Sequence, residues 1–116
     1  MNGRDSIILS KILRYCEEIR LAHLHFGNDV ELFYNKETGS VYRNSVAMPV
    51  LQIGELAKNL SEDFRKQHNE LPWRSIIRTR DLFAHHYGSL DYAQLWDTST
   101  AGVNEIIHHF SDEMPK

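Results

Sequence analysis

The sequence predicts an all-α protein built as an antiparallel bundle of four to five helices. Two observations lead there. Apolar residues recur at spacings of three and four along most of the chain, as they do on one face of a helix. The few β-branched pairs fall inside that periodicity, so no strand signal survives. Substantial helices joined by short links bury their stripes against one another as a bundle. At 116 residues the chain is expected to be a single domain, 1–116, with one core.

The first helix is expected over 6–26, with Ile8, Ile12, Tyr15, Ile19, Ala22 and Phe26 as its stripe. Asp5 or Ser6 caps its start, and Gly27-Asn28 stops it. Cys16 lies beside the stripe and reads as a small core residue. Residues 29–35 add a short helix. The segment Lys36 to Asn44, with Thr38-Gly39-Ser40, is the most loop-like part of the chain. A second major helix is expected over 45–60, capped by Asn44 or Ser45 and lined by Val46, Val50, Ile53 and Ala57. Pro49 is tolerable there only near the first turn or as a kink. Glu55 either faces solvent, the plainer reading, or pairs with a buried arginine. Ser61 caps a short helix over 62–68, with Leu60 as its staple.

Residues 72–92 hold the stretch around which the chain is organised. Pro72 suits the first helical position and Gly88 the position after the last. Trp73, Ile76, Ile77, Phe83, Ala84 and Tyr87 share one broad face, and Arg80 falls in its middle. Arg74, Arg78, Asp81 and His85 form a second stripe. An arginine amid core positions is costly unless it is paired or faces a wet cleft. A last helix is expected over 92–110, where Asp91 and Gln94 resemble a capping box. Trp96, Val103, Ile107 and Phe110 are its expected buried line, and Gly102 weakens it locally.

The net charge of −3 gives no general nucleic-acid footprint. A local basic patch does exist, formed by Arg65, Lys66, Arg74, Arg78 and Arg80. Cys16 is the only cysteine, so no intramolecular disulfide forms and a reducing compartment fits. No apolar run approaches ~18 residues, and the N-terminus lacks the apolar core of a signal peptide. A cytoplasmic protein with no membrane association is expected. The seven histidines include two adjacent pairs, His85-His86 and His108-His109, whose members diverge on a helix. With no His-Glu-x-x-His and no Cys-x-x-Cys, no metal site is expected. His23, His25, His108 and His109 read as last-turn residues, where the helix dipole favours cations.

No phosphate-binding glycine loop and no Gly-x-Ser-x-Gly is present. What remains is Arg80 with His85 and Tyr87. Arginine offers forked donors to a phosphate, and histidine exchanges a proton near neutral pH. Together they suit attack of a ribose 2′-OH on its own neighbouring phosphate, which requires no metal. Positions five apart on a helix point roughly 140° apart. A symmetric dimer would bring two Arg80–His85 pairs around one cleft.

The string Arg80-x-x-x-x-His85-x-Tyr87 resembles the signature of HepT-like proteins, which are HEPN-domain ribonuclease toxins. Arg20 and His25 share the spacing but lack the tyrosine. Context strengthens the match: Leu51-Gln52-Ile53-Gly54-Glu55-Leu56-Ala57 looks like the family's preceding helix. Leu71-Pro72-Trp73-Arg74 is similar to its proline–tryptophan entry, and Gly88 to Asp91 to its tail. The similarity covers about residues 5–110 and is most specific at 50–91. Pro49 departs from the pattern.

The resemblance implies an all-helical HEPN bundle, a homodimer, and an RNase site at the dimer cleft. Arg80 and His85 would be catalytic there, with Asp81 and Tyr87 in support. It also implies a partner, an MntA-type nucleotidyltransferase antitoxin of a type VII toxin–antitoxin pair. That partner would transfer AMP from ATP to Tyr87 and silence the toxin. No cofactor of the protein's own is implied, since only the partner uses ATP. The alternative is a non-catalytic HEPN subunit that binds substrate for a minimal nucleotidyltransferase. A third reading is a helical dimerisation module in which Arg80 simply pairs with Glu55 or Asp91.

Overall fold

The computed structural model describes residues 2–85 and 91–114, except for the side chains at 84 and 85. Among the described residues every regular element is helical. In chain order they are α1 (Gly3–His25), α2 (Val30–Tyr34), α3 (Ser40–Lys58), α4 (Glu62–Gln67), α5 (Trp73–His85), α6 (Tyr92–Asp97) and α7 (Val103–His109). A π-helical stretch, Thr98–Gly102, joins α6 to α7, and a 3₁₀ turn, Ser111–Glu113, follows. Helix α3 packs most extensively, with α1 and α5 as its main neighbours, and α7 lies on α1. The expected helical bundle is therefore present.

Helix α1 begins earlier than expected. Asn2, not Asp5 or Ser6, is the cap, accepting from the Asp5 N–H at 2.7 Å. Asp5 is buried instead and accepts from the Ser61 N–H at 2.9 Å and the Ser61 hydroxyl at 2.6 Å. These bonds hold its carboxyl below the usual carboxylate range. One carboxylate thus ties the start of α1 to Ser61, the cap of α4. At the other end Gly27 and Asn28 take φ values of 73° and 53°, the left-handed stop expected there. Ile8, Ile12 and Ile19 are buried as predicted, joined by Leu9, Leu13 and Cys16. Burial pushes the Cys16 thiol up to about 12, so it is an inert packing group.

Helix α3 corrects the expected loop at Lys36 to Asn44, because it starts at Ser40. The reason is Arg43, which is buried and whose Nη1 donates to the carbonyls of Phe33 and Asn35, each at 2.7 Å. Its guanidinium also stacks 4.2 Å from the Tyr92 ring centroid. Gly39 makes room for it: a Cβ there would run into the guanidinium and into the Leu32 and Asn35 carbonyls. The glycine that reads as turn chemistry is therefore a packing requirement. The earlier start also leaves Pro49 deep inside α3 and not in its first turn. The Ser45 carbonyl consequently lacks its helical N–H partner.

The last run reads as one helix over 92–110 in the sequence, but the π-helical stretch interrupts it. Ser99, in that stretch, faces His23 of α1. His23 is buried, its Nδ1 2.6 Å from the Tyr42 hydroxyl and its Nε2 3.0 Å from the Ser99 hydroxyl. Burial lowers its pKa, so this last-turn histidine is a neutral core group and not a dipole-stabilised cation. Leu95 and Ile106 are buried where Trp96 and Ile107 were expected, and those two are only partly covered. Asp91 caps α6 as predicted, accepting from the Gln94 N–H at 3.1 Å. The Gln94 side chain turns away, donating to the Thr79 hydroxyl of α5 at 3.1 Å.

Candidate functional site

The site grows from a close crossing of α3 and α5. Gly54 is buried on α3, and a Cβ added there would meet the Arg80 Cβ and come within 3.1 Å of both Arg80 Cγ and the Ile76 carbonyl. Only a glycine lets the two backbones approach this closely. The neighbouring residue, Glu55, then reaches Arg80 across the crossing. Its Oε2 lies 2.9 Å from Arg80 Nε. This decides between the two sequence readings: the Glu55 carboxylate is half exposed and is also the arginine's partner.

Helix α5 starts at Trp73, with the Pro72 carbonyl accepting from the Ile76 N–H at 3.0 Å, so Pro72 stands one place before its expected position. Trp73, Ile76 and Phe83 are buried on the predicted face, and Ile77 is partly buried. Thr79, absent from that list, is also buried. Its hydroxyl donates to the Ser75 carbonyl at 2.8 Å, which satisfies it inside the helix.

Arg80 is neither sealed nor free; its side chain keeps 29% exposure. Beyond Glu55, its Nη1 lies 3.3 Å from Asp81 Oδ1, and Lys58 Nζ donates to the same oxygen at 3.2 Å. The result is a four-membered charge chain, Glu55–Arg80–Asp81–Lys58, bridging α3 and α5. The hydrogen bond from Lys58, and then that from Arg80, hold the Asp81 carboxyl below its usual range. Asp91 takes no part in it, being committed to its cap. The His85 side chain and Tyr87 lie outside the described residues, as do His86 and Gly88.

Asp81 also lines a groove of about 800 Å³ between α4 and α5. Its cations are Arg65 and Lys66 from α4 and Arg74 and Arg78 from α5, over apolar Trp73, Ile77 and Leu82. Four of the five residues of the expected basic patch thus share one concavity with the acidic Glu62 and Asp81, while the fifth, Arg80, is not among its lining residues. The Arg65 Nε is buried without a hydrogen-bond partner among the described residues. Such a groove offers charge to a phosphate backbone and apolar surface to a base.

The description "Ribonuclease HepT-like" belongs to the family model that matches residues 10–112 of the chain. A Caldanaerobacter subterraneus protein named "Putative RNase TTE0752" is 30% identical over 101 residues, 79% of this chain and 90% of that protein. The Thermococcus cleftensis protein named "Probable ribonuclease HepT" is 46% identical over 58 residues, 50% of this chain and 53% of that protein. A Methanocaldococcus jannaschii protein named "Putative RNase MJ0125" is 28% identical over 113 residues, 95% of this chain and 91% of that protein. No solved structure matches the chain at a significant level. With a family match that runs from the middle of α1 past the end of α7, the chain belongs to the ribonuclease HepT-like family.

Proposed function

We propose that this protein is a metal-independent RNA endonuclease of the HEPN type, the toxin of a type VII toxin–antitoxin pair. The observation that carries this reading is Arg80, oriented by Glu55 and Asp81 beside a groove lined with cations. In this account the groove holds the RNA backbone and Arg80 stabilises the charge that builds on the phosphorane oxygens. His85 takes the proton from the ribose 2′-OH or gives one to the leaving 5′-oxygen. Two chains share these roles across a homodimer cleft, since Arg80 and His85 of one helix diverge by about 140°. An MntA-type nucleotidyltransferase partner transfers AMP from ATP to Tyr87. The added phosphodiester then competes with RNA phosphate for Arg80.

A second reading has an observation in its favour. An arginine already tied to two carboxylates also suits a non-catalytic HEPN subunit of a minimal nucleotidyltransferase, in which Arg80 is structural. Expression in a host cell separates the two. The toxin reading expects growth arrest by the wild type, no arrest by His85→Ala, and relief by the partner with AMP added at Tyr87. Growth unaffected by a well-expressed, folded wild type favours the second reading. AMP still added to Tyr87→Phe places the control site elsewhere.

A further inference from the structure

We infer that His68, Glu70 and His109 form a binding site for a transition-metal ion of the Zn²⁺ class, tying the end of α4 to the end of α7. The inference is independent of the roles proposed for Arg80, His85 and Tyr87. His68 is the residue that ends α4, and His109 is the last residue of α7. They lie 41 positions apart in the sequence, which is why no local motif announces them. In space His68 Nδ1 is 2.8 Å from His109 Nε2, and His109 Nδ1 is 3.1 Å from Glu70 Oε1.

Packing fixes both rings. They stand nearly perpendicular, at 88°, and His68 is set against Phe64 at 4.5 Å and Phe110 at 5.0 Å between centroids. His109 rests on Phe110 at 4.7 Å. Glu70 Oε1 lies 3.1 Å from His109 Nδ1, and the tautomer with its proton on Nδ1 leaves the Nε2 lone pair toward His68. That is the carboxylate–histidine arrangement that orients an imidazole for a metal. When His68 carries its proton on Nε2, its Nδ1 lone pair points back at the same spot. A proton on either facing nitrogen makes an ordinary N–H···N bond; with both protons on the far nitrogens, the two facing lone pairs can receive a metal ion.

One ligand atom from each of the three residues lies within 4.8 Å of the others. A tetrahedral ion with bonds of about 2.0–2.2 Å needs the two nitrogens to part by roughly half an ångström. Glu70, on the Nδ1 side of His109, holds that ring from behind, and water completes the coordination. Imidazole donors select Zn²⁺, Ni²⁺ or Cu²⁺ over Mg²⁺ and Ca²⁺. Trp73 Nε1 donates to the His68 carbonyl at 3.0 Å, so the tie reaches the first residue of α5.

The test strips the full chain with EDTA, removes the chelator, and titrates ZnCl₂ by calorimetry beside thermal unfolding. The expected result is one Zn²⁺ per chain and a raised Tm. His68→Gln and His109→Gln should each weaken binding at least ~10-fold, and Glu70→Gln about 10-fold. MgCl₂ and CaCl₂ should leave the Tm unchanged. Circular dichroism checks each variant; should a histidine variant unfold, Glu70→Gln decides. The inference is overturned if the wild type takes up no Zn²⁺, or if folded variants take it up as tightly as the wild type.

Discussion

Gly54→Ala probes the crossing on which the candidate site stands. The new methyl meets Arg80 Cβ and comes within 3.1 Å of Arg80 Cγ and the Ile76 carbonyl. None of these atoms sits at the far end of a flexible side chain. Normal carbon contacts of about 3.5–4.0 Å therefore require α5 to move outward by roughly 1–1.5 Å. Overpacking that forces a shift of this size falls in the upper part of the usual range, about 2–3 kcal/mol. Replacing a mid-helix glycine returns about 0.5–1 kcal/mol. The balance is a loss of about 1–2 kcal/mol, or a Tm lower by roughly 3–10 °C for a domain of this size. The same shift stretches the 2.9 Å Glu55–Arg80 pair beyond hydrogen-bond length. Misplacement on that scale costs on the order of 100-fold in rate when the residue acts on a transition state. Thermal unfolding by circular dichroism and single-turnover RNA cleavage measure the two effects. A variant as stable as the wild type or more so would refute the reasoning, because propensity would then have outweighed a contact that is not there.

Arg43→Ala should cost about 2–4 kcal/mol in urea unfolding, since it removes two charge-assisted hydrogen bonds and the stack on Tyr92. Arg43→Lys should recover only part of it, because an ammonium cannot reproduce the planar stack on Tyr92. His23 has a lowered pKa, so the unfolded chain binds its proton more readily than the folded chain does. Stability is then full above the unfolded value of about 6.5 and declines as pH falls below it, by at most about 1.4 kcal/mol per pH unit. His68, also lowered, acts in the same direction, so the difference between wild type and His23→Gln isolates the His23 share; identical pH profiles would remove the claim. Arg78→Ala should weaken binding of single-stranded RNA across sequences and reduce the salt slope by about 0.7, read by fluorescence anisotropy at several salt concentrations. An unchanged slope would mean that the α4–α5 groove does not hold the backbone.

Some local signals are legible because a single residue type decides the matter, although the start of α1 falls to Asn2 and not to Asp5 or Ser6. Gly27-Asn28, Ser61 and Asp91 end or begin helices because their own conformations and side chains do so. Arg80 stands out because a charge on an apolar face needs a partner, and Glu55 is one of the two carboxylates the sequence offers it. What stayed hidden depends on partners distant in sequence. Gly39 looks like a turn residue until Arg43 is seen to fill the space beside it. His23 looks like a helix-end cation until Tyr42 and Ser99 close around it. His109 looks solvated until His68 and Glu70 are found against it. The π-helical stretch follows from no spacing rule, and it shifts which residues of the last run face the core.

The central claim is that Arg80 and His85 cleave RNA without a metal. It is tested most directly by the ends of the RNA fragments made in the presence of EDTA. The account predicts 2′,3′-cyclic phosphates, or their opened forms, from the wild type. It also predicts rates lower by roughly 100-fold or more in folded Arg80→Ala and His85→Ala. Cleavage that stops with EDTA and leaves 5′-phosphates, or that survives both substitutions, would contradict it.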